Sequence, residues 1–332
     1  MGIRVWNGKI LLRDFTDQGI LGLIHGGAGP MDPKRERVVL ASNSICSIGE
    51  DLKKWSAVPY SYSHFLDSHC PVNNQCEGVV LLGARYLEDN PLFNAGLGAA
   101  LQEDGIPRLS AAFMSSEQQK FSAVMNVTEV LHPSELAFYL QGQRFCVLDH
   151  RGGNNLAHDL QVPRAELRTR RRFDRWVELK RQTLEGIPSA DGTGTIGCVA
   201  VSSSGKLAAV TSTGGVGNET VGRVGDTPTI AGNYCTDKVA VSCTGYGEEI
   251  VNIGLAPRIA ARVEDGMSLV AAMNKTLHEA GQLDYQLAAI AVARDANQQS
   301  LVWCAGTTTK FFIWSGFSDR NRWDSSAEPT GP

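Results

Sequence analysis

Ser189–Gly215 reads SADGTGTIGCVAVSSSGKLAAVTSTGG. Two apolar runs, TIGCVAV (Thr195–Val201) and KLAAVTS (Lys206–Ser212), flank SSSG (Ser202–Gly205). A three-residue hairpin loop uses a type I turn followed by a glycine in the left-handed region. Gly205 fits that place, so Ser202 pairs with Lys206 and Val201 with Leu207. Extending the ladder sets Thr195 opposite Thr213. Directly opposed strand residues lie about 5 Å apart, so two hydroxyls meet at the open end of the hairpin. Threonine is also a common strand residue, and a bulge would break the register. The surroundings single these two out.

GRVGD (Gly222–Asp226) follows the hairpin. It offers a cation, Arg223, and an anion, Asp226, on a glycine-loosened loop. Such a pair holds a zwitterion, guanidinium to α-carboxylate and carboxylate to α-ammonium. Its plain alternative is a loop salt bridge. CTGYGEE (Cys243–Glu249) puts Thr244 and Gly245 at a strand end. A hydroxyl and a backbone N–H there can form an oxyanion hole; the plain alternative is a strand-to-helix turn.

The chain has 332 residues, 42% of them hydrophobic and 20% charged, which suits one large domain or two small ones. A net charge of −4 gives no drive toward nucleic acid. PRAELRTRRRFDRWVELKRQTL (Pro163–Leu184) is basic and helical in pattern, and in an acidic chain it reads as a solvated linker helix. No apolar run reaches transmembrane length. The start lacks the apolar core of a signal peptide, and Trp6 breaks the myristoylation pattern. A cytoplasmic location is the expectation. The eight cysteines contain no Cys-x-x-Cys pair and read as reduced, buried thiols. His64, His69, Cys70 and Cys76 lie close in sequence but match no common zinc spacing. They read as a loop leading into a helix. HGGAG (His25–Gly29) follows a strand, yet no Gly-Lys-Ser/Thr comes after it.

Coarse periodicity predicts a strand at Ile20–Ile24 ended by HGGAGP, and helices over 35–55 and 75–89. It predicts strands at KFSAVMNV (Lys120–Val127) and QRFCVLD (Gln143–Asp149), with a helix at HPSELAFYL between them. KVAVSCTG leads into a helix, two helices are split at Gly266, and Gln286–Gly306 forms a hairpin. Helices in blocks and many antiparallel hairpins argue for an α+β fold of stacked layers, not a doubly wound sheet.

These motifs, in this order, resemble the plant-type L-asparaginases and isoaspartyl peptidases, threonine members of the N-terminal-nucleophile (Ntn) hydrolases. IHGGAGP (Ile24–Pro30) and YLEDNPLFNAGLGA (Tyr86–Ala99) match the same family. The resemblance implies a four-layer αββα sandwich, one domain over 1–332, that cuts itself between Gly194 and Thr195. It implies an α-subunit, 1–194, with a mobile linker over 155–194, and a β-subunit, 195–332. Thr195 would be the nucleophile and its freed α-amine the base, with Thr213 orienting it. Arg223 and Asp226 would bind the substrate's charged groups, with Gly247 lining the same pocket. Thr244 and Gly245 would form the oxyanion hole, and Asn94 would lie beside the site. Backbone carbonyls of Leu87, Glu88 and Phe93 would hold a structural sodium ion; the chemistry needs no cofactor. The implied substrate is asparagine or a β-aspartyl dipeptide, and the implied assembly a homodimer.

The chain departs from that pattern at Tyr246, where histidine is usual, and at Ser110, where aspartate is common. Two alternatives stand beside this reading. Glycosylasparaginase shares the fold but carries aspartate before its nucleophile, where this chain has Gly194. An uncut scaffold or binding protein would remain one chain.

Overall fold

The structure, a computed structural model, describes residues 2–15, 19–29, 36–56, 74–186, 194–295, 297, 299–319 and 321–324. The chain opens with β1 (Arg4–Leu11), β2 (Ile20–Gly29), α1 (Glu36–Ser56) and α2 (Gln75–Glu88). Then come β3 (Leu109–Ser115), β4 (Ser122–Val127), α3 (Pro133–Tyr139), β5 (Val147–Leu148), α4 (His150–Asp159) and α5 (Arg170–Leu184). The central hairpin is β6 (Ile196–Ser202) and β7 (Leu207–Thr213), followed by β8 (Asn233–Cys235) and β9 (Val239–Gly245). The last part holds α6 (Gly247–Ile253), α7 (Leu255–Glu264), α8 (Leu269–Gln282), β10 (Leu287–Arg294), β11 (Ser300–Thr307), β12 (Phe311–Ser318) and β13 (Arg322–Asp324).

The hairpin forms in the expected register. Val201 pairs with Leu207 and Ile196 with Ser212, without a bulge. Gly205 takes a φ of 87° at the turn, and the Ser202 amide donates to the Lys206 carbonyl at 2.9 Å. β6 and β7 lie in the middle of an eight-stranded sheet ordered β13-β12-β2-β6-β7-β3-β4-β5. A five-stranded sheet runs β1-β11-β10-β9-β8. Every strand pair among the described residues is antiparallel except β4 with β5. The fold is therefore a mix of helices and largely antiparallel sheets.

Period-two alternation along these strands sends neighbours to opposite faces. Ile196, Cys198 and Ala200 join a cluster with Ile45 of α1, Val79 of α2 and Leu136 of α3. Val199 and Val201 join a different cluster with Ala240, Ile290 and Trp303 of the five-stranded sheet. On that sheet, Val241, Ala289 and Ala291 pack with Ile259 of α7 and Met273 of α8. Both faces of the central strands are thus buried, which is why their sequences read as continuous apolar runs. Asn74 starts α2 by accepting from the Glu77 amide at 3.1 Å, and Ser268 caps α8 in the same way.

Three elements differ from expectation. β2 does not end at Ile24 but runs through HGGAG to Gly29. The pairing with β12 skips Gly26, and Gly27 takes a φ of 123°; close neighbours leave no space for side chains here, since a Cβ at Gly26 would lie 2.3 Å from the Phe93 ring. The strand expected over Gln143–Asp149 shortens to Val147–Leu148, which pairs only with Ala123–Val124. The helix expected at Pro163–Leu184 forms as α5, after the end of α4, but it is docked rather than fully solvated, with Arg172 and Leu179 buried. Residues 187–193, including most of EGIPSADGTG, lie outside the described residues, as do His64, His69 and Cys70.

The two sheets approach closely at Gly197. A Cβ there would lie 1.9 Å from Ser242 Oγ and 2.5 Å from His25 Nε2, all three in the interior. Gly197→Ala should therefore lower stability by about 2 kcal/mol or more. A urea midpoint equal to that of the wild type would mean that the sheets have slack at this point.

Candidate active site

Thr195 precedes β6 and Thr213 ends β7, so the register brings them together. Thr195 Oγ1 donates to Thr213 Oγ1 at 3.2 Å, and both residues are buried. The Gly215 amide donates to Thr213 Oγ1 at 3.2 Å, which fixes that hydroxyl from the other side.

The peptide before Thr195 is wedged. Gly194 has a φ of 138°, and a Cβ on it would lie 2.5 Å from Asn94 Cβ. A Cβ on Gly27 would lie 2.7 Å from Gly194 Cα. Asn94 then uses every polar group it has. Its amide donates to the Gly194 carbonyl at 3.2 Å, and its carbonyl accepts from the Gly214 amide at 2.8 Å. Its side chain donates to the Gly215 carbonyl at 2.5 Å and accepts from the Ala100 amide at 2.7 Å. A backbone N–H thus already points at the carbonyl oxygen of the Gly194–Thr195 bond, where charge would develop if that carbon were attacked.

A polar cluster lies below, between the sheets. His25 Nε2 is 2.9 Å from Ser242 Oγ, which is 2.7 Å from Thr211 Oγ1. Thr211 Oγ1 is also 3.0 Å from Asn233 Oδ1. Full burial pushes the His25 imidazole down to about 3, so it is neutral at neutral pH. Thr195 lies two residues before Gly197 and Thr244 two residues after Ser242 on β9, on the side of that contact. Thr244 Oγ1 is buried and has no hydrogen-bond partner among the described residues. Gly245 follows with a φ of 137°. An unpartnered buried hydroxyl is costly unless something comes to meet it.

Arg223, Asp226 and Gly247 also come together. A Cβ on Gly247 would lie 2.8 Å from Arg223 Nη2 and 3.0 Å from Asp226 Oδ1, so only glycine leaves this corner open. Burial pushes the Asp226 carboxyl up to about 7, against the pull of Arg223, and its Oδ2 is unpartnered among the described residues. A buried, unsatisfied carboxyl of this kind is suited to receive an ammonium group. Arg223 is gripped by Glu248 through two 2.8 Å hydrogen bonds, Nε to Oε1 and Nη2 to Oε2. The Arg223 carbonyl accepts from Asn126 Nδ2 at 3.2 Å, and the Asn126 amide donates to Ser110 Oγ at 3.0 Å. Ser110 is the β3 partner of Thr213. The loop bearing Arg223 is therefore tied back to the threonine pair through the residue that departs from the family pattern.

For the sodium ion, two of the three implied carbonyls are already engaged. The Leu87 carbonyl accepts from the Asn90 amide at 3.3 Å, and the Phe93 carbonyl from Arg172 Nη2 at 3.3 Å. A buried guanidinium standing at Phe93 does not fit a second cation there. No group of three or more His, Cys, Asp or Glu among the described residues could hold a metal. The seven described cysteines are free thiols. No helix among the described residues is long and apolar enough to cross a membrane.

Comparison with known proteins decides the family. A profile described as asparaginase matches residues 71–313. The chain belongs to this asparaginase family. An isoaspartyl peptidase/L-asparaginase of Synechocystis is 37% identical over 280 residues, which is 81% of this chain and 80% of its own. One from Nostoc is 43% identical over 230 residues, 66% of this chain and 72% of its own. One from Rattus norvegicus is 33% identical over 280 residues, 82% of this chain and 77% of its own.

Sequence reasoning did not single out His25, Ser242, Glu248 or the carboxylate of Glu88, a residue it named only for its backbone carbonyl. The last is fully buried and accepts from Ser134 Oγ and Ser212 Oγ at 2.7 Å each. Burial pushes it up to about 7. The available signal was its sequence position, at the end of a helix and just before Asn94's loop, and nothing local marks it as buried.

The Asp226 carboxyl has a clear pH signature. Its folded value is raised above the unfolded one, so between about pH 4 and pH 7 the folded state holds more protons than the unfolded state. Stability from this group is present at low pH and lost as pH rises through that window. Asp226→Asn lacks the loss, so its melting temperature should gain on the wild type from about pH 4 to pH 8. A difference that stays constant with pH would contradict the assignment. Because an ammonium is best held by an ionised partner, KM should also fall as pH rises through about 7.

Proposed function

We propose that this member of the asparaginase family is a self-cutting threonine hydrolase with the four-layer αββα arrangement of the Ntn hydrolases. It releases L-aspartate from L-asparagine and β-aspartyl dipeptides. The observation that carries this is the joint geometry of Thr195, Thr213 and Asn94. One hydroxyl is aligned by a second, next to a peptide carbonyl that already accepts a backbone N–H. Three independent supports agree with it. They are the pair Arg223 and Asp226 that meet at Gly247, the Thr244 hydroxyl without a partner among the described residues, and relatives named for this activity.

The cut proceeds by attack of Thr195 Oγ on the Gly194 carbonyl carbon. The oxyanion takes up the Asn94 N–H, the C–N bond breaks, and the proton lost from Oγ goes to the departing amine. The resulting ester is hydrolysed by water, leaving Gly194 as a carboxyl terminus and Thr195 as an amino terminus. A free α-amine has a pKa of about 8, so it can act as general base at neutral pH.

Turnover repeats the chemistry on a substrate. Arg223 binds the α-carboxylate and Asp226 the α-ammonium, which sets the side-chain carbonyl at Thr195 Oγ. Thr244 and Gly245 stabilise the tetrahedral oxyanion. Ammonia or an amino acid leaves, and water hydrolyses the β-aspartyl ester to aspartate. Gly247 keeps the corner open, and Asn94 lines the site. The assembly is a homodimer of cut protomers.

The direct test is Thr195→Ala, assayed for aspartate release from asparagine and from a β-aspartyl dipeptide. The variant should stay one chain and lose activity by at least about 10⁴-fold. Retained activity would show that another residue is the nucleophile. Arg223→Ala and Asp226→Ala should reduce turnover about 100-fold or more while sparing the cut. Equal loss of both would mean that these residues support the fold rather than the substrate.

A further inference from the structure

α5 belongs to the segment that precedes the proposed cut, and one of its faces is docked. Most of its cations point outward: Arg170 pairs with Asp174 and Arg181 with Glu178 on the same helix, and Arg171 Nη1 donates from the surface to the Pro91 carbonyl at 3.4 Å. Arg172 is the exception, only 4% exposed. Its Nη2 donates to the Phe93 carbonyl at 3.3 Å. One turn on, Trp176 Nε1 donates to the Gln102 carbonyl at 2.9 Å, and one turn further Leu179 is buried. Thr183 continues the line by accepting from Asn218 Nδ2 at 3.0 Å. This spacing is one face of a helix.

What Arg172 holds is specific. Phe93 is joined directly to Asn94, whose amide donates to the Gly194 carbonyl. The Phe93 ring fills the space over Gly26, beside the Gly27 that presses on Gly194. A buried guanidinium is expensive unless it is well compensated, and one group this one donates to is the carbonyl next to the residue that clamps the scissile bond. The same charge stands at the carbonyl that the family resemblance assigns to a sodium ion.

We propose that Arg172 is a positioning residue for the cut: docked α5 holds Phe93 and Asn94 against Gly194, and Arg172 supplies this loop's positive charge in place of an alkali cation. This rests on the self-cutting reading. The segment before the cut is then a part of the maturation machinery, and not only a tether. Removing the guanidinium frees the Phe93–Asn94 backbone and weakens the N–H that would meet the oxyanion. Lysine restores the charge with fewer donors.

The experiment follows the appearance of the fragment beginning at Thr195 by intact mass, starting from newly synthesised chain. Wild type, Arg172→Ala and Arg172→Lys are compared in sodium chloride and in tetramethylammonium chloride. Arg172→Ala should slow the cut at least about tenfold, and Arg172→Lys should recover much of that loss. The wild type should cut equally fast in both salts. An alanine variant cutting at the wild-type rate, or a wild type that needs sodium, would overturn the proposal. Loss of rate without recovery by lysine would also overturn it, since charge would then not be what matters. Trp176→Phe keeps an aromatic side chain but loses the indole N–H and part of the ring, so it tests the docked helix even where Arg172→Ala does not fold. It should slow the cut a few-fold, and a rate equal to the wild type counts against the helix. A wild-type chain that never cuts would refute the self-cutting reading itself, which separates that failure from this one.

Discussion

Gly194 lies between Gly27 and Asn94 at distances that leave no room for a Cβ on Gly27 or on Gly194 itself. Much of the structure follows from keeping that contact. β2 must run on through its glycines, because Gly27 meets the Gly194 backbone only if the strand continues. Asn94 must be held by its own backbone and side chain together, which its four hydrogen bonds do. The hairpin must keep an unbroken ladder to its open end, because a single slipped residue would turn Thr195 or Thr213 to the other face. A positive φ at Gly194 is tolerated by glycine and strains other residues. The wedge therefore presents one peptide bond in a distinct geometry, next to the hydroxyl proposed to attack it.

The second consequence is energetic. The two sheets enclose polar groups as well as an apolar cluster. His25, Ser242, Thr211 and Asn233 satisfy one another in part, whereas Thr244 Oγ1 and Asp226 Oδ2 have no partner among the described residues. Each unsatisfied group costs about 1–3 kcal/mol. Such costs are understandable at a site that receives a charged ligand, because the ligand supplies the missing partners. Asp226 illustrates this: burial raises its carboxyl to about 7, and an arriving ammonium would lower it again. The corner at Gly247 is open for the same reason, and Glu248 holds Arg223 aimed along it.

The central hairpin was legible because two constraints agree there. Alternation assigns the faces, and the glycine after SSS sets the register. Arg223, Asp226 and Thr244 were legible as chemistry, since charge and hydroxyl at glycine-rich strand ends have few bland uses in combination. The ends of the sheets were not legible. HGGAG reads as a strand terminator, and only the Phe93 ring and the Gly194 backbone explain why glycines stand inside this strand. Likewise VWNGKIL of β1 carries Asn-Gly inside a strand, where Gly8 lies against the Trp303 ring. The linker was legible as a basic helix but not as a docked one, because outward-facing arginines dominate its composition and hide the one that is buried. Grips such as Glu248 on Arg223 join residues far apart in sequence, and no local pattern announces them.

The central claim is that the bond before Thr195 is cut by Thr195. The most direct measurement is the intact mass of purified wild-type protein held at neutral pH, with N-terminal sequencing of every fragment. The account predicts two fragments, one beginning Thr195-Ile196-Gly197, whose masses together equal the chain plus one water. A chain that remains whole, or one cut at any other bond, would contradict it.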